Sequence, residues 1–142
     1  MLLYGFYPRI YDQKLDPHEA LSFYFETYVE RDIRSLLQVK DLSSFRKFVR
    51  LCAGRIAGLL NFSSLGNETG ISHMTAKKWL SLLEASYIVF LLSPYYKNYN
   101  KRITKSPKLY FYDVGLASYL LGIENTKQMQ RDPRFFKRIN VF

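Results

Sequence analysis

A mainly α-helical fold with one small β-hairpin is what this chain predicts, and three observations predict it. The stretch Phe62 to Glu84 has the pattern of two short helices around a glycine turn. Two short apolar, β-rich runs follow it, one on each side of a basic segment. Upstream, apolar residues recur at helical spacing behind helix-start signals.

The central stretch reads FSSLGNETGISHMTAKKWLSLLE. Ser63 is placed to cap a short helix carrying Leu65, and Gly70 supplies a tight turn because it accepts positive φ. Ser72 follows as the cap of a second helix. There Ala76, Leu80 and Leu83 fall at i, i+4 and i+7, a stripe to be buried. His73, Thr75, Lys77 and Lys78 lie off that stripe and are expected to face outward. Two helices joined by a glycine-containing turn, the second with a basic outer face, make a helix-turn-helix pattern.

The strand candidates come next. Tyr87 to Leu92 is short, β-rich and bounded by Ser93-Pro94, and Leu109 to Tyr112 reads as its partner. Between them, residues 95–108 (YYKNYNKRITKSPK) hold five basic residues, three tyrosines and no acid. Strand, basic loop and strand directly after a recognition helix is the order of a winged helix, with the loop as the wing. Asp113 caps a closing helix, Val114 to Leu121, that Gly122 stops.

Upstream, residues 1–15 read as an irregular lead-in. Asp16-Pro17-His18-Glu19 is a helix start: Asp16 caps, Pro17 suits the first helical position and Glu19 has capping-box spacing. The helix is expected to run to about Leu37, packing through Leu21, Phe25, Tyr28, Ile33 and Leu36/Leu37, with Glu30 and Arg34 paired at i,i+4. Asp41 to Ser44 starts another helix, about Phe45 to Leu60, with Phe45, Val49 (or Phe48), Cys52, Ile56 and Leu59 on one side. Gly54 and Gly58 have small-xxx-small spacing and read as packing space. The organisation is thus a lead-in (1–15), a two-helix support (16–60), the winged helix with its closing helix (61–122) and a polar basic tail (123–142) that the sequence leaves open between order and disorder.

The bulk numbers narrow the function classes. The chain has 142 residues, 48% of them hydrophobic, enough for a real core. Net charge is +9 and pI about 9.7, which favours a negatively charged partner, nucleic acid first. Between Lys77 and Lys108 stand seven Lys/Arg and a single acid, Glu84. The single cysteine, Cys52, sits among apolar residues and reads as a buried small hydrophobe, consistent with a reducing, cytoplasmic setting. The N-terminus lacks a signal-peptide pattern, and the longest apolar run is too short for a membrane span, so no membrane partner is expected.

Catalysis finds no support. There is no Walker-type glycine loop. His18, His73 and Cys52 make no zinc set, and Glu26, Glu30 and Asp32 read as helix-surface ion pairing. No cofactor or metal is expected. The sharper reading is DNA binding: the start of the second helix (Ser72, His73, Thr75) toward bases or phosphates, Lys77 and Lys78 on the backbone, and Lys101, Arg102 and Lys105 of the wing reaching a neighbouring groove. Tyr95, Tyr96 or Tyr99 could pack on sugars. With no Arg or Asn placed for a bidentate base contact on the helix, sequence specificity is expected to be weak. Trp79 and Tyr87 read as core. The alternative is a protein-interaction module whose basic face is solvated or docks an acidic partner.

TYVERDIR (27–34), residues 59–98 and KRITKSPKLYFYDVGLASYLLG (101–122) also carry a resemblance. They look like the region that follows the ATPase core in bacterial and archaeal AAA+-like P-loop ATPases of uncertain role. Gly5-Phe6-Tyr7-Pro8 looks like that family's segment just beyond the core. The resemblance implies a winged-helix accessory module, a fragment without the ATPase core or the C-terminal nuclease-like domain. Its implied partners are DNA and an ATPase domain or identical subunit. ATP hydrolysis and nuclease activity do not carry over, and Glu30, Arg31 and Asp32 keep a structural ion-pair reading.

Overall fold

Helices make up most of residues 3–37 and 41–132, the part of the chain described by this computed structural model. The first is a short helix α1, Pro8–Asp12, inside the stretch expected to be irregular; Pro8 occupies its first position. Next come α2 (Pro17–Tyr24), a π-helical turn (Phe25–Val29) and α3 (Glu30–Leu37). Asp16 caps α2 as expected, accepting from the Glu19 amide at 2.9 Å.

The expected single helix over 16–37 therefore contains a wider turn. The reason is legible in the packing. Leu21, Phe25, Val29 and Ile33 are all buried at strict four-residue spacing. On a plain α-helix that spacing drifts around the axis by about 40° per step, since each residue advances about 100°. The π turn absorbs the drift.

Helix α4, Leu42–Ala53, is the centre of the core: Phe45, Phe48, Val49 and Cys52 are wholly inaccessible. Its cap is Asp41, which accepts from the Ser44 amide and hydroxyl. The hydroxyl bond first, then the amide bond, holds the Asp41 carboxyl below its usual range. The helix ends seven residues before Leu60. Gly54 and Gly58 thus lie beyond it, and their spacing reflects no helix-helix contact. Residues 57–60 instead run beside the sheet. The Ala57 amide donates to Leu109 (2.8 Å), the Leu109 amide to Gly58 (3.2 Å) and the Leu60 amide to Pro107 (2.9 Å). Leu59, expected inside, is exposed on this edge.

Helices α5 (Phe62–Thr69) and α6 (His73–Ala85) follow, joined by three residues. The cap of α5 is Asn61 rather than Ser63; it accepts from the Ser64 amide at 3.0 Å. Gly70 has φ +82°, the left-handed turn its sequence position called for. The two helices close tightly at Gly66: a Cβ there would lie 2.8 Å from the Ile71 carbonyl oxygen. On α6, Ala76, Leu80 and Leu83 are buried as the stripe predicts, and Trp79 joins them. Trp79 makes T-shaped pairs with both Phe45 and Phe48, with ring centroids 5.5 Å away in each case.

Strands β1 (Val89–Leu92) and β2 (Lys108–Phe111) pair antiparallel, with Val89 opposite Phe111 and Leu92 opposite Lys108. Their connection is not an open loop throughout, since it contains α7, Tyr99–Thr104, capped by Asn98. Helix α8, Val114–Leu120, has the expected Asp113 cap. That buried carboxylate reaches further than expected. It accepts from the Leu116 amide at 2.8 Å and from the Phe6 amide at 2.6 Å, fastening the N-terminal segment to α8. Gly115 makes the contact possible, because a Cβ there would lie 2.6 Å from Gly5 Cα. Within the polar tail, α9, Thr126–Arg131, buries Met129. The rest of that tail, 133–142, lies outside the described residues.

Substituting Gly66→Ala should drive the new methyl group into the Ile71 backbone carbonyl and push α5 away from the following turn. We expect a loss of about 1–3 kcal/mol, the usual cost of overpacking, measured as a lower urea midpoint with an unchanged slope.

Candidate nucleic-acid interface

The first turn of α6 is built by its own cap. Ser72 Oγ accepts from the Thr75 amide at 3.1 Å and lies 2.9 Å from Thr75 Oγ1. Both hydroxyls are therefore engaged with each other, and the first turn is held in a fixed shape. Phe62, at the start of α5, supports the next two side chains. His73 meets its ring edge-on at 5.6 Å, and Lys77 Nζ stands 5.9 Å from its centroid, within cation–π range. Half-buried Phe62 thus holds His73 and Lys77 together. Sequence reasoning passed over it, although its place directly after a capping asparagine and opposite the Gly70 turn was a usable signal. Lys78 and Met74 are exposed on the same helix, Met74 at 71%.

Lys101 lies on α7 and Lys105 just after it, both exposed. Arg102 belongs to α7, and its side chain lies outside the described residues. Among the described residues no hydrogen bond, ion pair or ring contact joins these positions to Ser72, His73, Thr75, Lys77 or Lys78. The sequence-predicted residues thus come from two elements, α6 and the β1–β2 connection. Arg55 belongs to neither, because its guanidinium is held by Ser64 (2.9 Å) and Glu68.

Tyr87, expected in the core, is 74% exposed. It cannot begin the strand because it closes α6. Its amide donates to Glu84 and the Ile88 amide to Leu83, the double hydrogen bond that ends a helix through a left-handed residue.

The acidic cluster resolves as structure. Glu30 is buried and bonds Arg46, with one contact at 2.8 Å, so the expected partner Arg34 is replaced by one on α4. Arg31 and Asp32 form an exposed pair at 3.5 Å. Among the described residues, no group of three His, Cys, Asp or Glu side chains is arranged to hold a metal. No described helix is long and apolar enough to cross a membrane. Cys52 is inaccessible, and burial pushes its thiol up to about 12. A groove of about 660 Å³ lies between α1 and α2, lined by Tyr7, Ile10, Leu15, Ala20, Phe23 and Tyr24 among others. Burial and a bond to Tyr24 raise the Tyr7 hydroxyl above its ordinary range, so it stays protonated.

These features define a small, mainly helical domain with a two-stranded sheet and an exposed, basic helix face. The chain belongs to the family described as Domain of unknown function (DUF8612), whose model matches residues 1–127. It is 30% identical over 111 residues to "Uncharacterized protein Rv2008c" of Mycobacterium tuberculosis and, equally, to "Uncharacterized protein Mb2031c" of Mycobacterium bovis. Each alignment covers 78% of this chain and 25% of the relative, so the chain spans about a quarter of the length of the curated relatives it matches. No solved structure matches it.

Two outcomes follow. An aromatic disulfide reagent at pH 8 should leave Cys52 unmodified in the native protein and react at once in denaturant, because the thiolate is scarce and shielded; rapid native labelling would contradict the burial. Arg46→Ala should strand the Glu30 carboxylate and lower stability by about 1–3 kcal/mol, seen as a lower thermal midpoint.

Proposed function

We propose that this chain is a non-catalytic winged-helix module that binds duplex DNA with low sequence specificity, as an accessory part of a longer ATPase. The observation that carries the reading is the outer face of α6. There His73 and Lys77 are held on the Phe62 ring, with Lys78 exposed beside them. Lysines so arranged neutralise phosphates and release counterions, which supplies affinity for any sequence.

The winged-helix reading is supported by the order of the parts. Helix α4 leads to the sheet-edge segment 57–60, then to α5, a glycine turn and α6, and then to two antiparallel strands with a lysine-bearing connection. Low specificity follows from the side chains on that face, which include no arginine or asparagine placed to read two atoms of one base. The ATPase setting rests on the sequence resemblance and fits relatives about four times as long as the matched part.

A second reading is a regulatory domain that docks on an ATPase or on another copy of itself. It is favoured by the apolar groove between α1 and α2, near which Phe23 is 57% exposed.

The two readings separate in a salt titration of binding to a short duplex. DNA binding through α6 predicts a steep fall in affinity with salt. The double variant Lys77→Glu/Lys78→Glu should flatten the log–log slope by roughly two, about one per lysine. No duplex binding at low salt, together with self-association unaffected by the double variant, would favour docking.

A further inference from the structure

We propose that the outer aromatic side of the β1–β2 sheet is a stacking platform for single-stranded nucleic acid. The inference concerns residues other than those of the α6 face and does not rest on duplex binding there.

Tyr87 carries the argument. Its backbone has φ +56°, the left-handed region that bulky residues avoid. The same double hydrogen-bonded closure ends α8, and there the left-handed residue is Gly122. At the end of α6 the chain holds a tyrosine in a position suited to glycine, and its ring is 74% exposed. Neither backbone preference nor burial accounts for an aromatic side chain here, and a strained residue of this kind is a pointer to function.

The ring is not isolated. Tyr87 meets Tyr112 edge-to-face at 5.9 Å, and Tyr112 is itself 51% exposed. Tyr112 packs on Phe90 at 5.0 Å, and Phe90 stacks on Tyr110 across the strands at 5.5 Å and 19°. An edge-to-face pair leaves aromatic surface uncovered, and the rigid Phe90–Tyr110 stack fixes it in place. Unpaired bases stack on such surfaces whatever their sequence.

Charge selects the occupant. The segment joining the strands, together with the first residue of β2, holds Lys97, Lys101, Arg102, Lys105 and Lys108 and no acid. Lys97, Lys101, Lys105 and Lys108 are exposed, as is Tyr99. Lys108 alternates with Tyr110 and Tyr112 along β2 and its extension, and Tyr99 stands between Lys97 and Lys101 in the sequence, an arrangement that suits a polyanion with open bases. An apolar peptide would leave the lysines without counter-charge, and a closed duplex presents no base faces to stack.

The test is fluorescence anisotropy with a labelled oligothymidylate of roughly 12 nucleotides, within the span such grooves occupy, beside a duplex of equal length. Tyr87→Gly relieves the left-handed strain while deleting the ring. It should weaken oligothymidylate binding about tenfold, one base's worth of stacking. Melting temperature should hold or rise, and duplex affinity should stay unchanged. Tyr112→Phe keeps the ring and should keep the affinity; Tyr112→Ala should lose it. The inference is overturned if the wild-type chain does not bind oligothymidylate at low salt or if Tyr87→Gly binds it as well as wild type. An equal loss on duplex and single strand, or a loss that tracks unfolding, overturns it too. Loss of duplex binding in Lys77→Glu/Lys78→Glu with single-strand binding intact would separate the two surfaces.

Discussion

Everything in this molecule is hung on the buried face of α4. Phe45 and Phe48 each meet Trp79 in a T-shaped pair, so the helix that carries the basic surface is set against the centre of the core by a large aromatic contact. Edge-to-face geometry fixes orientation as well as distance, because the ring quadrupoles favour it over looser packing. Helix α4 also touches α5, α8 and β2. The placement of α6, the sheet and the closing helix therefore shares one support, and the exposed side chains inherit their directions from it.

Local chemistry made the centre of the fold legible. Gly70 and Ser72 marked the turn and the start of α6, and the Ala76–Leu80–Leu83 stripe marked its inner face; each signal acts within a few residues of where it is read. What escaped depends on partners far along the chain. The Phe6 amide and Asp113 are 107 positions apart, and the sheet-edge bonds of residues 57–60 need Leu109 and Pro107 already in place. Glu30 illustrates the same point. Its helical neighbour Arg34 has ideal local spacing, yet the carboxylate is taken by Arg46 from α4, where burial makes a charge partner obligatory.

The candidate site divides along similar lines. Charge is visible in composition, so the lysines of α6 and of the β1–β2 connection stood out at once. Support is not visible there. Phe62 matters because it lies under His73 and Lys77, a relation created only when α5 folds against α6. Tyr87 was misplaced because a run of apolar residues hides where a helix closure ends and a strand begins. Its positive φ, a backbone fact, moves it from the interior to the surface.

The π turn at Phe25–Val29 sets the phase of everything on the helix beyond it. Each residue in a helix advances about 100° around the axis. The wider turn holds one residue more than an α turn, so losing a residue there would let it close as plain α-helix with Ile33 and Glu30 still facing inward. Gaining one more would swing α3 by about that angle, carrying Ile33 out toward water and pulling Glu30 away from Arg46. The segment is therefore constrained against lengthening more than against shortening: its wide turn already holds the one extra residue, and a further one would rotate the helix that follows.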